Sequence, residues 1–192
     1  MHKYLITSKE FYTDNPSVFT QTLSKQLQIH KPDYVLFRDK TNPNYKFQAP
    51  HFLKVCQEFH VKSFIHQDIE LARELNVTGV HLSSTQANKI GDAKNMGLEV
   101  IISTHTYGEV LDAQALGADA VTYSPIFFSP NKGTPKGVED LKALLKKCDI
   151  KVFALGGIVE ASQVKIIEET GAYGFASIRY FYATSDYSPK FN

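Results

Sequence analysis

The stretch Ala120–Leu141, AVTYSPIFFSPNKGTPKGVEDL, holds a strand, a loop and the start of a helix in one piece. The run from Ala120 to Phe128 is apolar at nearly every position, as a strand covered on both faces is. It stops at Pro130, a Pro/Gly/Lys segment follows, and helical spacing resumes at Val138. Lys132, Gly133, Lys136 and Gly137 crowd that one strand end. Such a loop is either a solvated connection or one wall of an anion site.

The same unit recurs along the chain. Apolar runs stand at Tyr4–Ser8, Tyr34–Lys40, Ser63–Gln67, Gly79–Ser83, Glu99–Thr104, Ala120–Phe127, Lys151–Gly157 and Gly174–Ile178. Amphipathic stretches lie between them, among them QAPHFLKVCQEFH, DIELARELN, GEVLDAQALG and VEASQVKIIEETG. In the last, Val159, Val164 and Ile167 share a face and Gly171 closes it. Eight alternating βα units predict a (β/α)₈ TIM barrel, an α/β fold, with an open doubly wound sheet as the structural alternative. The last helix is expected to be short or missing, because GFASIRYFYA runs into the polar, Pro-containing TSDYSPKFN.

The chain's 192 residues suit one sizeable core, so residues 1–192 are read as a single domain. A formal net charge of +1 carries no nucleic-acid or membrane footprint, and any anion site must be local. Cys56 and Cys148 lack a C-x-x-C spacing and read as reduced thiols of a cytoplasmic protein. The amino-terminal MHKYLITSKEF has too short an apolar run for a signal peptide, and no segment approaches a membrane span.

In such a barrel the carboxyl ends of the strands meet on one face, where sites are built. Those ends carry Arg38 and Lys40, then His66, Gln67 and Asp68, Ser83 to Thr85, Ser103 and His105, Lys132 and Lys136, Gly156 and Gly157, and Ile178 and Arg179. Basic, hydroxyl and glycine residues thus converge. Gly156 and Gly157 let backbone N–H groups approach a phosphate, or simply make a tight turn. Arg38 and Lys40, two apart, suit a phosphate or pyrophosphate, or a solvated strand terminus. His105 follows its strand directly and is an acid/base candidate, or a hydrogen-bonded structural histidine. His81, in mid-strand, reads as structural. Few carboxylates stand at the mouth; Asp39 and Asp68 are there, which argues against a metal site.

The motifs LFRDK, DIELARELNVTGVHL, STHTYGEV, GADAVTYSPIF, SPNKGTPKGVEDL, LGGI and SIRYF, in that order, resemble the thiamine phosphate synthase/TenI superfamily of (β/α)₈ barrels. The resemblance implies one of two activities. Synthases join a pyrimidine pyrophosphate to a thiazole phosphate with Mg²⁺; TenI-type tautomerases aromatise a thiazole phosphate carboxylate with a histidine and no metal. Where synthases carry two metal-binding aspartates, this chain has Gln67 and Gln86, and Leu36 stands where they have a pyrimidine-contacting glutamine. Asp68 could compensate after a one-residue shift. Arg38, Lys40, Ser103, Lys132, Gly157 and the Ile178 backbone match phosphate-holding positions, and His105 matches the tautomerase histidine; Arg179 replaces a usual serine.

The resemblance therefore implies a metal-independent thiazole phosphate tautomerase that needs no cofactor. His105 would move the proton, while Gly156, Gly157, Ile178 and Arg179 hold the phosphate. Ser129, Asn131 and Lys132 would form a wall, and Arg38 or Lys40 would meet the substrate carboxylate. A divergent Mg²⁺-using synthase and a non-catalytic phosphate-ligand binder are the alternatives. The expected partner is a small thiazole phosphate, with no nucleic acid or membrane, and a homo-oligomer is compatible with the sequence.

Overall fold

The computed structural model describes residues 1–182, and within them eight parallel strands close into a barrel in sequence order. The elements run β1 (His2–Ile6), α1 (Lys9–Tyr12), α2 (Pro16–His30), β2 (Tyr34–Phe37), α3 (Tyr45–Glu58) and β3 (Lys62–His66). Then come α4 (Ile69–Glu74), β4 (Gly79–Leu82), a 3₁₀ segment at Ser84–Lys89, α5 (Ile90–Asn95), β5 (Glu99–Thr104) and α6 (Tyr107–Ala115). The chain continues through β6 (Ala120–Tyr123), α7 (Gly137–Leu145), β7 (Lys151–Leu155), α8 (Ala161–Glu168), β8 (Gly174–Ser177) and α9 (Arg179–Tyr182). The (β/α)₈ barrel is the fold, and the open sheet is excluded by the pairing of β1 with β8. The polar tail on which the last-helix expectation partly rested, residues 184–192, lies outside the described residues.

Strand alternation sorts the core into two compartments. One face of each strand meets the helices in a large apolar shell that includes Leu5, Val35, Ile65, Val80, Val100, Val121, Val152 and Phe175. The other face fills the barrel with Tyr4, Ile6, Tyr34, Leu36, Phe64, Ile101, Ala120, Phe153 and Ala176. This second set explains why the strand runs read as apolar throughout. Tyr4, Phe64 and Phe153 are fully buried, each contributing about 1.5–3 kcal/mol by removal from water. The two phenylalanines fit because their neighbours on the next strands are glycines. A Cβ at Gly79 would stand 2.6 Å from the Phe64 ring, and one at Gly174 would stand 2.6 Å from the Phe153 ring.

Several strands end earlier than their apolar runs. Residues 38–40 lie beyond β2, and β6 stops at Tyr123 rather than Phe128. Pro125 has no N–H to extend the β6 ladder. Past it the chain leans onto β7, where the amides of Ile126 and Phe127 donate to the carbonyls of Leu155 and Gly156 at 2.9 and 3.0 Å. The longest helix, α2, was not among those named from the sequence; Asn15 caps it through Ser17 and Val18, and Phe19, Leu23 and Leu27 are its buried stripe.

The packing around Phe64 makes a specific demand. A Cβ at Gly79 would also stand 2.1 Å from the Glu99 carbonyl oxygen, so Gly79→Ala should destabilise the barrel by roughly 1–3 kcal/mol. Gly91→Ala in α5 meets no atom within 4 Å and should stabilise by about 0.4–1 kcal/mol. Urea unfolding midpoints of the two variants check the contrast; equal midpoints would contradict it.

Candidate functional site

The mouth is framed first by the ends of β2 and β3. Tyr45 stacks on Phe37 with ring centres 4.4 Å apart. Its hydroxyl donates to the Phe37 carbonyl at 2.7 Å and accepts from the His66 amide at 3.1 Å. The Arg38 amide donates to Thr7 Oγ1 at 3.0 Å. Arg38 is therefore anchored by its backbone while its half-buried guanidinium is left to the mouth.

Three cations gather there. Burial lowers the pKa of Arg38, only partly offset by Asp39. Lys40 is lowered by Arg38 first, then by burial, then by Lys132, so the loop lysine reaches the same field as the β2 pair. None of the ion pairs among the described residues involves Arg38, Lys40 or Lys132. Mutually repelling cations without a counter-ion form a ready anion site. The loop carrying Lys132 is pinned at its base, where the amides of Lys136 and Gly137 donate to the carbonyls of Pro125 and Ile126. Asn131 and Lys132 are exposed at the tip and Ser129 accepts the Lys132 amide, so the structure places them on the rim rather than in the barrel.

Below the cations stand two neutral histidines. Burial, then Arg38 and Lys40, push His66 down to about 4. His81 is 2% exposed and pushed down to about 3, chiefly by burial. Its Nδ1 is 2.9 Å from the Tyr4 hydroxyl and its Nε2 is 3.0 Å from Ser103 Oγ. The assignment that satisfies every group has Tyr4 donating to Nδ1 and Nε2–H donating to Ser103, which leaves the Ser103 proton for a ligand. His81 is structural, as its mid-strand place implies, and it also orients a candidate site residue. Thr122 Oγ1, fully buried beside Ser103 in the register of β5 and β6, has no hydrogen-bond partner.

On the far side stands His105, exposed just past β5. Its amide is held by Glu109, the N3 residue of a capping box whose N-cap is Thr106. Its Nδ1 lies 3.2 Å from the Ser124 carbonyl oxygen. Ser124 Oγ lies 3.3 Å from the same nitrogen; in the tautomer that donates Nδ1–H to the carbonyl, the hydroxyl turns its own proton elsewhere and Nε2 presents a lone pair. That is the geometry of a general base.

Gly156 and Gly157 have positive φ values of 101° and 70°. A Cβ at Gly156 would stand 2.7 Å from Pro125 Cα, and one at Gly157 would stand 2.3 Å from the Phe128 carbonyl oxygen. Close approach of the Pro125–Phe128 segment thus requires both glycines, whatever else they do. Among the described residues the amides of Gly157, Ile158 and Ile178 donate to no protein acceptor outside regular structure. The β7 and β8 loops are tied together by Ser177 Oγ, which donates to the Ile158 carbonyl at 2.7 Å. Arg179 is exposed at the start of α9.

The positions that the resemblance assigns to metal ligands do not fit a dication. Gln86 Oε1 accepts the Ser83 amide at 3.0 Å, and its amide nitrogen reaches the Gln67 carbonyl at 3.4 Å. Asp68 Oδ1 caps α4 through the Leu71 amide at 2.9 Å, and Oδ2 pairs with Lys46 at 3.4 Å. Neutral amides and an engaged carboxylate offer little to Mg²⁺. A cleft of about 1010 Å³, lined by Lys40, Tyr45, His66, Gln67, Asp68 and Gln86 among others, opens on this side of the mouth and does not reach His105 or Gly157.

The chain resembles known proteins over most of its length. A family model described as thiamine monophosphate synthase matches residues 3–181. A thiamine-phosphate synthase of Lactococcus lactis subsp. cremoris is 32% identical over 145 residues, which span 68% of this chain and 64% of that protein. A putative thiamine-phosphate synthase 2 of Aquifex aeolicus is 29% identical over 188 residues, 93% of this chain and 96% of the relative. The fold matches a thiamine phosphate pyrophosphorylase from Pyrococcus furiosus with a TM-score of 0.82 at 21% identity, covering 96% of this chain and 89% of that one. Among the described residues no helix is long and apolar enough to cross a membrane.

The neutral histidines predict an acid limit. Their folded pKa values lie below the 6.5 of free imidazole, so below that pH the unfolded chain binds protons that the folded chain refuses. Their contribution is complete above pH 6.5 and falls as pH drops toward 4, at up to about 1.4 kcal/mol per pH unit for the buried His81. Urea unfolding across this window should show the slope. His81→Gln should be less stable at neutral pH yet less pH-sensitive; an unchanged slope would contradict the burial of a neutral imidazole.

Proposed function

Because the chain belongs to the thiamine monophosphate synthase/TenI family, we propose that it acts on a thiazole phosphate and catalyses a metal-independent tautomerisation of that ring. The observation that carries this reading is the pairing of two facts at the mouth. The metal-ligand positions hold the neutral amides Gln67 and Gln86, with Gln86 and the neighbouring Asp68 engaged in helix caps, while His105 offers Nε2 in the tautomer that donates Nδ1–H to the Ser124 carbonyl.

The chain's own residues then divide the work. His105 Nε2 takes a proton from one ring position, and the electron pair of that C–H bond moves into the ring. The resulting imidazolium returns the proton at a second position, so no net proton or electron is gained. The amides of Gly157, Ile158 and Ile178 take the substrate phosphate, with Gly156 and Arg179 beside them. Arg38 or Lys40 meets the carboxylate, Ser103 donates its hydroxyl, and Ser129, Asn131 and Lys132 form the outer wall.

One observation favours a second reading. Three cations that pair with no carboxylate among the described residues exceed what one substrate carboxylate needs and suit a pyrophosphate, and the named relatives are synthases. Under that reading the protein joins a pyrimidine pyrophosphate to the thiazole phosphate.

Purified protein given the unaromatised thiazole isomer should convert it in the presence of EDTA. His105→Ala should lower kcat by roughly 10²–10⁴-fold with KM little changed, because the phosphate contacts lie on other loops. Full turnover by the variant would make His105 structural. Thiamine phosphate formation from pyrimidine pyrophosphate, only with Mg²⁺ and without isomer conversion, would establish the second reading instead. Binding without either product would leave a phosphate-ligand binder.

A further inference from the structure

Behind His105, three elements meet at one carboxylate that the proposed chemistry does not use. Asp140, on α7, accepts from Tyr123 through Oδ2 at 2.7 Å. It accepts from Tyr107 through Oδ1 at 3.1 Å and through its main-chain oxygen at 2.9 Å. Tyr107 is the first residue of α6, two after His105, and Tyr123 is the last of β6, immediately before Ser124. The two anchors of the imidazole, its own backbone and the carbonyl that receives Nδ1–H, are thus each one or two residues from a tyrosine held by Asp140.

We propose that Asp140 is a positioning residue that fixes the orientation and tautomer of His105 by clamping Tyr107 and Tyr123 together. The proposal rests on the reading of His105 as the proton-transfer group. The Ser124 carbonyl faces His105 only while the end of β6 and the β5–α6 junction keep their relative places. Ser124 is past the last residue of β6, where a single main-chain bond, from its amide to the Thr104 carbonyl at 3.2 Å, joins it to β5; the clamp adds side-chain restraint from α7 to that bond. Both hydroxyls are drawn to one rigid group, and each carboxylate oxygen serves a different element, so neither arm can move without breaking a hydrogen bond. Burial first, and Asp140 next, raise the pKa of both tyrosines, which keeps them as donors.

The same clamp reaches the lysine loop. The helix α7 begins at Gly137, where the loop ends, and the Lys136 ammonium lies 5.1 Å from the centre of the Tyr123 ring. Asp140 therefore holds the base of the loop and the seat of the imidazole in one frame.

Hydrogen bonding, not charge, is the agent, and this separates two variants. Asp140→Ala removes both side-chain acceptors. Asp140→Asn can turn its oxygen to Tyr123 and its NH₂ to the Tyr107 oxygen, whose proton stays on the main-chain carbonyl. The readout is the ¹⁵N spectrum of the His105 ring, assigned by its loss in His105→Gln and recorded at alkaline pH. The wild-type ring should show a protonated Nδ1 and a bare Nε2. Asp140→Ala should give mixed or averaged tautomers, and kcat should fall roughly 10–10²-fold with KM little changed. Asp140→Asn should restore both. Tyr123→Phe removes one arm alone, should shift the nitrogens in the same sense, and decides the matter if Asp140→Ala does not fold. A wild-type nitrogen pattern in the folded Asp140→Ala variant, or in Tyr123→Phe if that variant is needed, overturns the proposal. A shifted pattern with undiminished turnover supports the clamp and removes His105 from the chemistry.

Discussion

Filling the barrel is the constraint on which the rest depends. Eight strands enclose a space that must be packed solid, and here aromatic rings fill its lower half. Tyr4 approaches Tyr34, Phe64 and Phe153 with ring centres 5.2–5.9 Å apart. Glycines at 79 and 174 make room for the two phenylalanines on the neighbouring strands. Above that plug the carboxyl-end mouth is open to water and to polar side chains, while the amino end carries a separate charged rim of His2, Asp33, Lys62 and Lys151.

The junction of plug and mouth is where the chemistry is tuned. Tyr4 belongs to the plug, yet its hydroxyl reaches His81 and through it Ser103. Burial forbids a charge on His81, so the relay is neutral and its direction is set by which atoms can donate. Above it, Arg38 and Lys40 keep their charge at the cost of mutual repulsion, and burial, reinforced by those two cations, holds His66 neutral as well. A bound anion would relieve that repulsion. The proton transfer we propose would fall to His105, on the opposite rim, which is held by the Ser124 carbonyl and the capping box of α6.

Much of this was legible in the sequence because periodicity reports packing. Eight apolar runs gave the barrel, and the residues just past them gave the mouth. Strand ends were less legible, since Ile126 and Phe127 are as apolar as a strand but pair with β7 only after Pro125 breaks the ladder. The helix α2 left a signal in the spacing of Phe19, Leu23 and Leu27 behind Asn15 and Pro16, diluted by its many polar residues. Partners were least legible. That Gly156 and Gly157 admit the Pro125–Phe128 backbone and that Asp140 joins Tyr107 to Tyr123 depend on contacts between distant segments, whereas the caps made by Asp68 and Gln86 are local, three residues apart. Thr122 carried no sequence signal at all; only its unpartnered hydroxyl in the barrel marks it.

The central claim is that this mouth binds phosphate-bearing ligands with its own cations and amides, without a divalent ion. Calorimetric titration with an aromatic thiazole phosphate carboxylate, in EDTA and again in excess Mg²⁺, tests it most directly. The account predicts the same affinity under both conditions and a large loss when Arg38 and Lys40 are both replaced by Met. Binding that appears only when Mg²⁺ is present, or that is indifferent to the loss of both cations, would contradict it.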